Sequence, residues 1–305
     1  MTLFFDRTPR VLVQGITGRE GRMVANHMLA YGTEVHAGVT PGRAGETVEG
    51  VPVFDTVSQA VAEAGEPFDV SIVYVPPLAA LDAVADAVNA AVPFLLVVTE
   101  NIPVHDSLRL LALARERSAT VIGPNSVGLI EPARRLKLGA IGGDNPDRAF
   151  VPGRVAVLSR SGGLTVEIGL QLRLAGLGVS HAISIGGDAM IGTSPAELYR
   201  RLQDDDGTDV IIYVGEPGTA LEAELADEIA QTAMPKPLVA LILGRFMEDF
   251  PSGAVFGHAG AVIGRADEAP SEKLRRLQEA GALVAETIED ALHLVRDTLK
   301  AEAVS

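Results

Sequence analysis

The chain has no cysteine and no tryptophan. The first absence removes disulfides, thiolate metal ligands and a cysteine nucleophile together, and it fits a cytoplasmic location. The second, with aromatics at only 4%, removes the stacking platforms on which bases of single-stranded nucleic acid are laid. Basic residues are in the minority, 25 Lys and Arg against 40 Asp and Glu, for a formal net charge of −15. Phosphate backbones are bound through Lys- and Arg-rich faces, so nucleic acid is not expected as a partner. No apolar run approaches the ~20 residues of a membrane span. The nearest, residues 79–98, is interrupted by Asp82, Asp86 and Pro93 and reads as a helix followed by a buried strand. The opening residues lack the charged segment, apolar stretch and cleavage site of a secretory leader, so neither membrane nor export is expected. A run of three acids, Asp204 to Asp206 before Gly207, reads as a solvated helix end, and no metal site is expected.

What is present is apolar residues and glycine. A chain of 305 residues, 47% hydrophobic and with 32 glycines, can bury one large core or two ordinary ones, and two is the expectation. Short Val/Ile/Leu runs alternate with Ala-rich stretches of helical length, the pattern of βα units around parallel strands buried on both faces. Strands are expected near 10–14, 34–39, 70–75, 94–98 and 120–122, and a second series near 154–158, 179–185, 209–214, 238–243 and 282–284. In the second series helices are expected near 164–174, 195–203, 219–230, 272–279 and 288–301. Between the two lies 131–152, whose glycines and charged residues have the composition of a linker. The expected organisation is therefore two open α/β domains, 1–130 and 153–305, joined by 131–152.

Ligands of such domains sit beyond the carboxyl ends of the strands, so the residues just after each strand are the ones to inspect. Gly15-Ile-Thr-Gly18-Arg-Glu-Gly21 runs from a strand into a helix and places backbone N–H groups and a positive helix end where a pyrophosphate can be held. A tight turn with no ligand is the plainer reading of the same residues. The spacing is not that of a dinucleotide fold, and the second strand ends in Thr40 and Pro41 rather than in the acid that holds a ribose. A nucleotide with a phosphate-seeking cation suits it better, and Arg43 offers that charge.

Ser159-Arg-Ser161-Gly162-Gly163 is a second strand-to-helix turn, rich in hydroxyls and glycines and suited to a compact anion. Ser161 is also an ordinary helix cap. In Phe256-Gly-His258-Ala-Gly-Ala261 a single imidazole stands among residues with almost no side chains, open to close approach, and imidazole is a competent nucleophile toward phosphoryl groups near neutral pH. Glu216, after another strand, could accept a hydrogen bond from one nitrogen of that ring and leave the other free to attack; alone it would read as a solvated loop carboxylate.

In this order the motifs resemble the alpha subunit of succinyl-CoA synthetase (succinate–CoA ligase, NDP-forming) along essentially the whole chain. The resemblance is carried by 15–21, 31–33, 38–42, 52–56, 74–77, 99–103, 123–125, 159–162, 185–188, Gly215-Glu216 and 257–261. It implies an N-terminal Rossmann-like CoA-binding domain and a C-terminal flavodoxin-like ligase domain, both doubly wound. It implies that Thr17, Gly18, Arg19, Glu20, Val98, Thr99 and Glu100 hold CoA, with Arg43 where the family has a lysine. It implies that His258 carries phosphate, that Glu216 bonds its ring, and that Ser161, Gly162 and Gly163 cradle the phosphate. ATP or GTP with Mg2+ would bind a separate ATP-grasp beta subunit.

The family's usual Thr and Tyr beyond the second turn are here Gly163 and Val166, and its Cys-Pro after Asn125 is Ser126-Val127. Asn125, Ser126 and Val166 would meet the acid, so succinate, a malate-like, a sulfonated and a branched carboxylate all stay open. A citrate-activating relative, a CoA- or nucleotide-binding sensor without catalysis and an NAD-dependent oxidoreductase are the alternatives. The missing ribose-binding acid counts against the last.

Overall fold

The structure is a computed structural model and describes residues 3–233, 235–251, 253–254 and 261–302. Fourteen strands among these residues form two seven-stranded sheets. The first contains β1 (Val11–Gln14), β2 (Val35–Val39), β3 (Thr47–Val48), β4 (Val51–Phe54), β5 (Val70–Val73), β6 (Phe94–Val97) and β7 (Thr120–Ile122). Their spatial order is β3-β4-β2-β1-β5-β6-β7, and all neighbours are parallel except β3 with β4. Every residue of β1, β5 and β6 is buried, because α1 (Arg19–Tyr31), α2 (Val57–Ala64), α3 (Ala80–Asn89) and α4 (Val104–Glu116) connect these parallel strands and pack on the sheet.

The second sheet contains β8 (Gly128–Glu131), β9 (Leu136–Gly139), β10 (Pro152–Ser159), β11 (Val179–Ser184), β12 (Val210–Gly215), β13 (Leu238–Ile242) and β14 (Leu283–Ala285), in the order β14-β13-β12-β10-β11-β8-β9. Five of these are parallel, and β8 and β9 add an antiparallel hairpin at one edge. The helices are α5 (Gly162–Leu174), α6 (Pro195–Gln203), α7 (Leu221–Gln231), α8 (Pro270–Glu279) and α9 (Ile288–Glu302).

The ten expected strands all form. The stretch 131–152, linker-like in composition, differs from the expectation: it supplies the end of β8 and all of β9 to the second sheet. The physical reason is its Leu136-Lys-Leu138 alternation. Both leucines are buried in one hydrophobic cluster that also takes in Val13 of β1 and Leu158 of β10, so a single core runs between the two sheets. The hairpin is tied to the first domain by polar contacts as well. The Thr33 hydroxyl donates to the Lys137 carbonyl (2.7 Å) and accepts from its N–H (2.9 Å), and the Arg135 guanidinium lies 4.2 Å over the Tyr31 ring.

Strand order reverses at β1 in the first sheet, where β2 lies on one side and β5 on the other, and at β10 in the second, between β11 and β12. Ligand crevices of open α/β sheets form at such switch points. The turns 15–21 and 159–163 follow those two strands.

Candidate functional site

At the carboxyl end of β1 lies a cavity of about 860 Å3. Gly15 has φ +78°, and a Cβ there would meet the Tyr74 carbonyl oxygen at 2.4 Å; one at Gly21 would meet the Gly15 oxygen at 2.3 Å. The turn therefore packs with no room for side chains, which brings backbone against whatever fills the cavity. α1 starts at Gly18 with no side-chain cap, so its first N–H groups and the positive end of its dipole face outward. Thr17, Gly18, Arg19 and Glu20 line the cavity from this turn, and Val98, Thr99 and Glu100 line it from the loop after β6. The Thr99 hydroxyl donates to the Val75 carbonyl (2.8 Å), joining two of the lining loops. Arg43 is not in the wall. It lies three residues beyond Thr40, which does line the cavity, and is exposed beside Glu46 at 2.8 Å.

The far side of the same cavity comes from Asn125, Ser126, Val127 and Ala140. Asn125 binds both halves: its N–H donates to the Thr99 carbonyl (3.1 Å) and its side-chain amide to Asp188 (3.0 Å) in the loop after β11. The Ser126 hydroxyl is 1% exposed, donates to the Ser184 carbonyl (2.5 Å) and accepts from the Gly128 N–H (3.0 Å). It thus serves the backbone, as a buried hydroxyl must.

The second crevice adjoins this one. A Cβ on Gly162 would strike Val127 at 2.5 Å, so the start of α5 is in contact with the cavity's far wall, whereas a Cβ on Gly163 would meet nothing within 4 Å. Ser161 caps α5, its hydroxyl 3.5 Å from the Leu164 N–H. Between the two serines, Arg160 is 1% exposed and ties its own turn to two other loops: Nε donates to the Gly186 carbonyl (2.9 Å), one terminal nitrogen to the Asp188 carbonyl (2.8 Å) and the other to the Thr219 hydroxyl (3.3 Å). Val166 lies one turn into α5, half-buried against the core of the second domain and outside the cavity wall.

Glu216 follows β12 and is 8% exposed. Beneath its loop lies an ionic cluster that the sequence reading missed. Lys273 of α8 and Glu222 of α7 pair at 2.6 Å with side chains 2% and 1% exposed, and the Tyr213 hydroxyl donates to the other Glu222 oxygen at 2.7 Å. Burial pulls the Lys273 ammonium below the usual lysine range while Glu222 pulls it back up; burial also drives the Tyr213 phenol well above its ordinary value. His258 lies outside the described residues. Among those described, no group of three His, Asp or Glu is placed to hold a metal, and no helix is long and apolar enough to cross a membrane.

Two α/β domains thus bring together a glycine-rich turn that lines a cavity and a hydroxyl-rich turn at the start of α5, the layout of a ligand-binding α/β protein built of two units. Comparison assigns each unit. Residues 6–101 match the CoA binding domain, and residues 152–296 match the succinyl-CoA ligase like flavodoxin domain. The chain is 41% identical over 300 residues to a succinate–CoA ligase [ADP-forming] subunit alpha 1 of Archaeoglobus fulgidus, covering 98% of this chain and 99% of that one. It is 37% identical to an ADP-forming sulfoacetate-CoA ligase subunit of an Acholeplasma species, covering 94% of each. Its fold superposes on ATP citrate lyase from Methanothrix soehngenii, solved with citrate and coenzyme A, with a TM-score of 0.89 at 23% identity; 98% of this chain matches 51% of that one, so the chain spans about half of that protein. The chain belongs to the succinyl-CoA synthetase alpha-subunit family, the alpha subunits of NDP-forming acyl-CoA ligases.

Proposed function

We propose that this chain is the CoA-binding and phosphate-carrying subunit of a ligase that joins a small carboxylate to CoA at the expense of ATP or GTP. In this reading the nucleotide and Mg2+ occupy an ATP-grasp beta subunit, and the assembly works in the cytoplasm. The division of labour follows the expected domains: 1–130 holds CoA and 153–305 carries the phosphoryl group, with 131–152 tying the two together. The uncapped start of α1, with Thr17, Gly18, Arg19 and Glu20, takes the CoA phosphates. Arg43 adds charge from outside the wall, and Val98, Thr99 and Glu100 flank the rest of the molecule. His258 attacks the terminal phosphorus of the nucleotide and releases the diphosphate, while Glu216 holds the imidazole so that one ring nitrogen keeps its lone pair for attack. The N–H groups of Ser161, Gly162 and Gly163 receive the phosphoryl oxygens at the start of α5. A carboxylate oxygen then takes the phosphoryl group from His258, and the CoA sulfur attacks the acyl carbon and expels phosphate.

The observation that carries this reading is the contact of the two crevices. Asn125, Ser126 and Val127 wall the first-domain cavity, and Gly162 of the second turn sits against Val127. A thioester-forming ligand lying in the cavity would end beside a phosphoryl group held by α5. The acid is proposed to lie between them, near Asn125 and Val166. Ser126 contributes shape there, its hydroxyl being already engaged.

The test is to produce the chain with its beta subunit, add Mg-ATP and look for acid-labile, base-stable phosphate on His258 by peptide mass, with His258→Asn as control. Phosphate that appears on His258 and is discharged by CoA plus a carboxylate supports the ligase. An intact, ATP-binding complex that never carries phosphate would leave a CoA-binding sensor instead.

A further inference from the structure

Buried ion pairs are weak stabilisers, because desolvation offsets most of their attraction and an apolar pair of equal volume often does as well. The Lys273–Glu222 pair therefore calls for an explanation other than stability, and its remaining contacts supply one. Lys273 has three N–H groups and three acceptors. Besides Glu222, Nζ donates to the backbone carbonyl of Glu216 (2.8 Å) and to that of Gly218. Both carbonyls belong to the loop that carries Glu216. Glu222 is satisfied in turn by Lys273 and Tyr213, so the cluster is closed and each member has one position.

Ser271 in the first turn of α8 and Glu268 at the end of the short 3-10 turn Ala266–Glu268 just before it grip the chain on either side of the histidine segment. On the approach, Glu248 accepts from the Ser271 N–H (2.7 Å) and hydroxyl (2.9 Å). On the return, Glu268 accepts from the N–H groups of Gly264 (2.7 Å) and Arg265 (3.0 Å), and its own carbonyl accepts from the Gly218 N–H (3.0 Å). The Glu216 loop, the approach at Glu248 and the return at Gly264 thus all take their register from the residues around Lys273.

We propose that Lys273 is a positioning residue for phosphoryl transfer, holding the Glu216 loop by its carbonyls while Glu268, just before α8, and Ser271, in its first turn, fix the flanks of the histidine segment beside it. The inference rests on the proposed role of His258 and Glu216. With the carbonyls of residues 216 and 218 fixed and Pro217 locking φ between them, Glu216 has little freedom to drift. A displacement of about 1 Å in such a group costs about 100-fold in rate.

The test uses the whole alpha–beta complex and three readings: the rate of His258 phosphorylation by Mg-ATP, KM for CoA and the melting temperature. Lys273→Met combined with Glu222→Gln removes the charge pair without leaving a lone buried charge, but the carbonyls of Glu216 and Gly218 lose their donor, so the complex should melt about 5–15 °C below wild type. Phosphorylation should slow about 100-fold with KM for CoA unchanged. Glu222→Gln alone leaves the Lys273 charge without its counter-ion and should lower the melting temperature by a comparable amount, while phosphorylation slows far less than in the double variant because Lys273 still donates to both carbonyls. A double variant phosphorylated as fast as wild type, or rates that simply track melting temperature across both variants, would overturn the proposal. If the double variant does not assemble, Glu268→Ala, in the partly exposed turn just before α8, decides: slower phosphorylation at unchanged KM for CoA supports the proposal, and the wild-type rate overturns it. A wild-type complex that carries no phosphate on His258 is a different result, because it removes the proposed function itself.

Discussion

The two switch-point turns make an instructive pair. Each leaves the middle of a seven-stranded sheet and opens a 13-residue helix, α1 or α5. Around the first, the polar side chains are held lightly: among the described residues Arg19 pairs with its neighbour Glu20 and Arg43 with Glu46, both in solvent. Around the second, Arg160 and Lys273 are buried and donate to loop backbones. The first turn is rigid because glycine lets backbone touch backbone, and its side chains remain available to a ligand that enters and leaves. The second is rigid because cations inside the protein clamp the loops. That investment suits a place where bonds are made, since phosphoryl transfer tolerates far less displacement than binding does.

Loss of Arg160 should produce the largest effect. Arg160→Met leaves the carbonyls of Gly186 and Asp188 and the Thr219 hydroxyl without their donor, and each buried group stranded this way costs about 1–3 kcal/mol. A loss of about 4 kcal/mol in chemical denaturation is expected, with phosphorylation of His258 abolished. CoA binding by calorimetry should survive at a temperature where the variant is folded. Equal loss of both functions would mean that the two turns are one mechanical unit. Gly15→Ala is the converse experiment. It forces a Cβ into a left-handed residue 2.4 Å from the Tyr74 oxygen, at a conformational cost of about 1–2 kcal/mol before the clash is counted. Titration should show CoA affinity reduced about tenfold or more while ATP still phosphorylates His258 at the wild-type rate. A variant that binds CoA normally would show that the tight turn is a packing feature only.

The sequence makes the strands, both turns and most of the cavity wall legible, because parallel βα units leave strong local signals: apolar runs for buried strands, and glycines where backbone must pass close to backbone. The hairpin of β8 and β9 is hidden by its neighbours, since two leucines among arginines and glycines are too short a run to outweigh the linker composition around them. The Lys273–Glu222 pair left a signal that went unread. The buried residues of α8 are Pro270, Lys273 and Leu277, and those of α7 are Glu222, Leu225, Ala226 and Ile229. Both charges therefore occupy apolar-stripe positions at helical spacing. A charge in that stripe must be paired or functional, yet the sequence does not reveal which partner lies opposite. Arg43 shows the reverse limit: its charge is plain in the sequence, but the exposed position beside Glu46 is not.

The smallest effects are expected where space or solvent separates a side chain from the crevices. Gly163→Ala places a methyl in open space at the start of α5 and should stabilise the chain by about 0.5 kcal/mol. If the acid lies over this turn, its KM should rise while KM for CoA stays put; no change in either would move the acid away from α5. Arg43→Ala should be milder still for stability, since its ion pair with Glu46 is exposed. In the proposed function its contribution to CoA would be a screened attraction for phosphate, so KM for CoA should rise by less than about tenfold at low salt, and the difference should fade as ionic strength approaches about 0.5 M. A rise that persists in high salt would mean that Arg43 swings in to bond the phosphates directly. The first turn would then close on its ligand, and the contrast between a light grip at α1 and a clamped one at α5 would hold only before CoA binds.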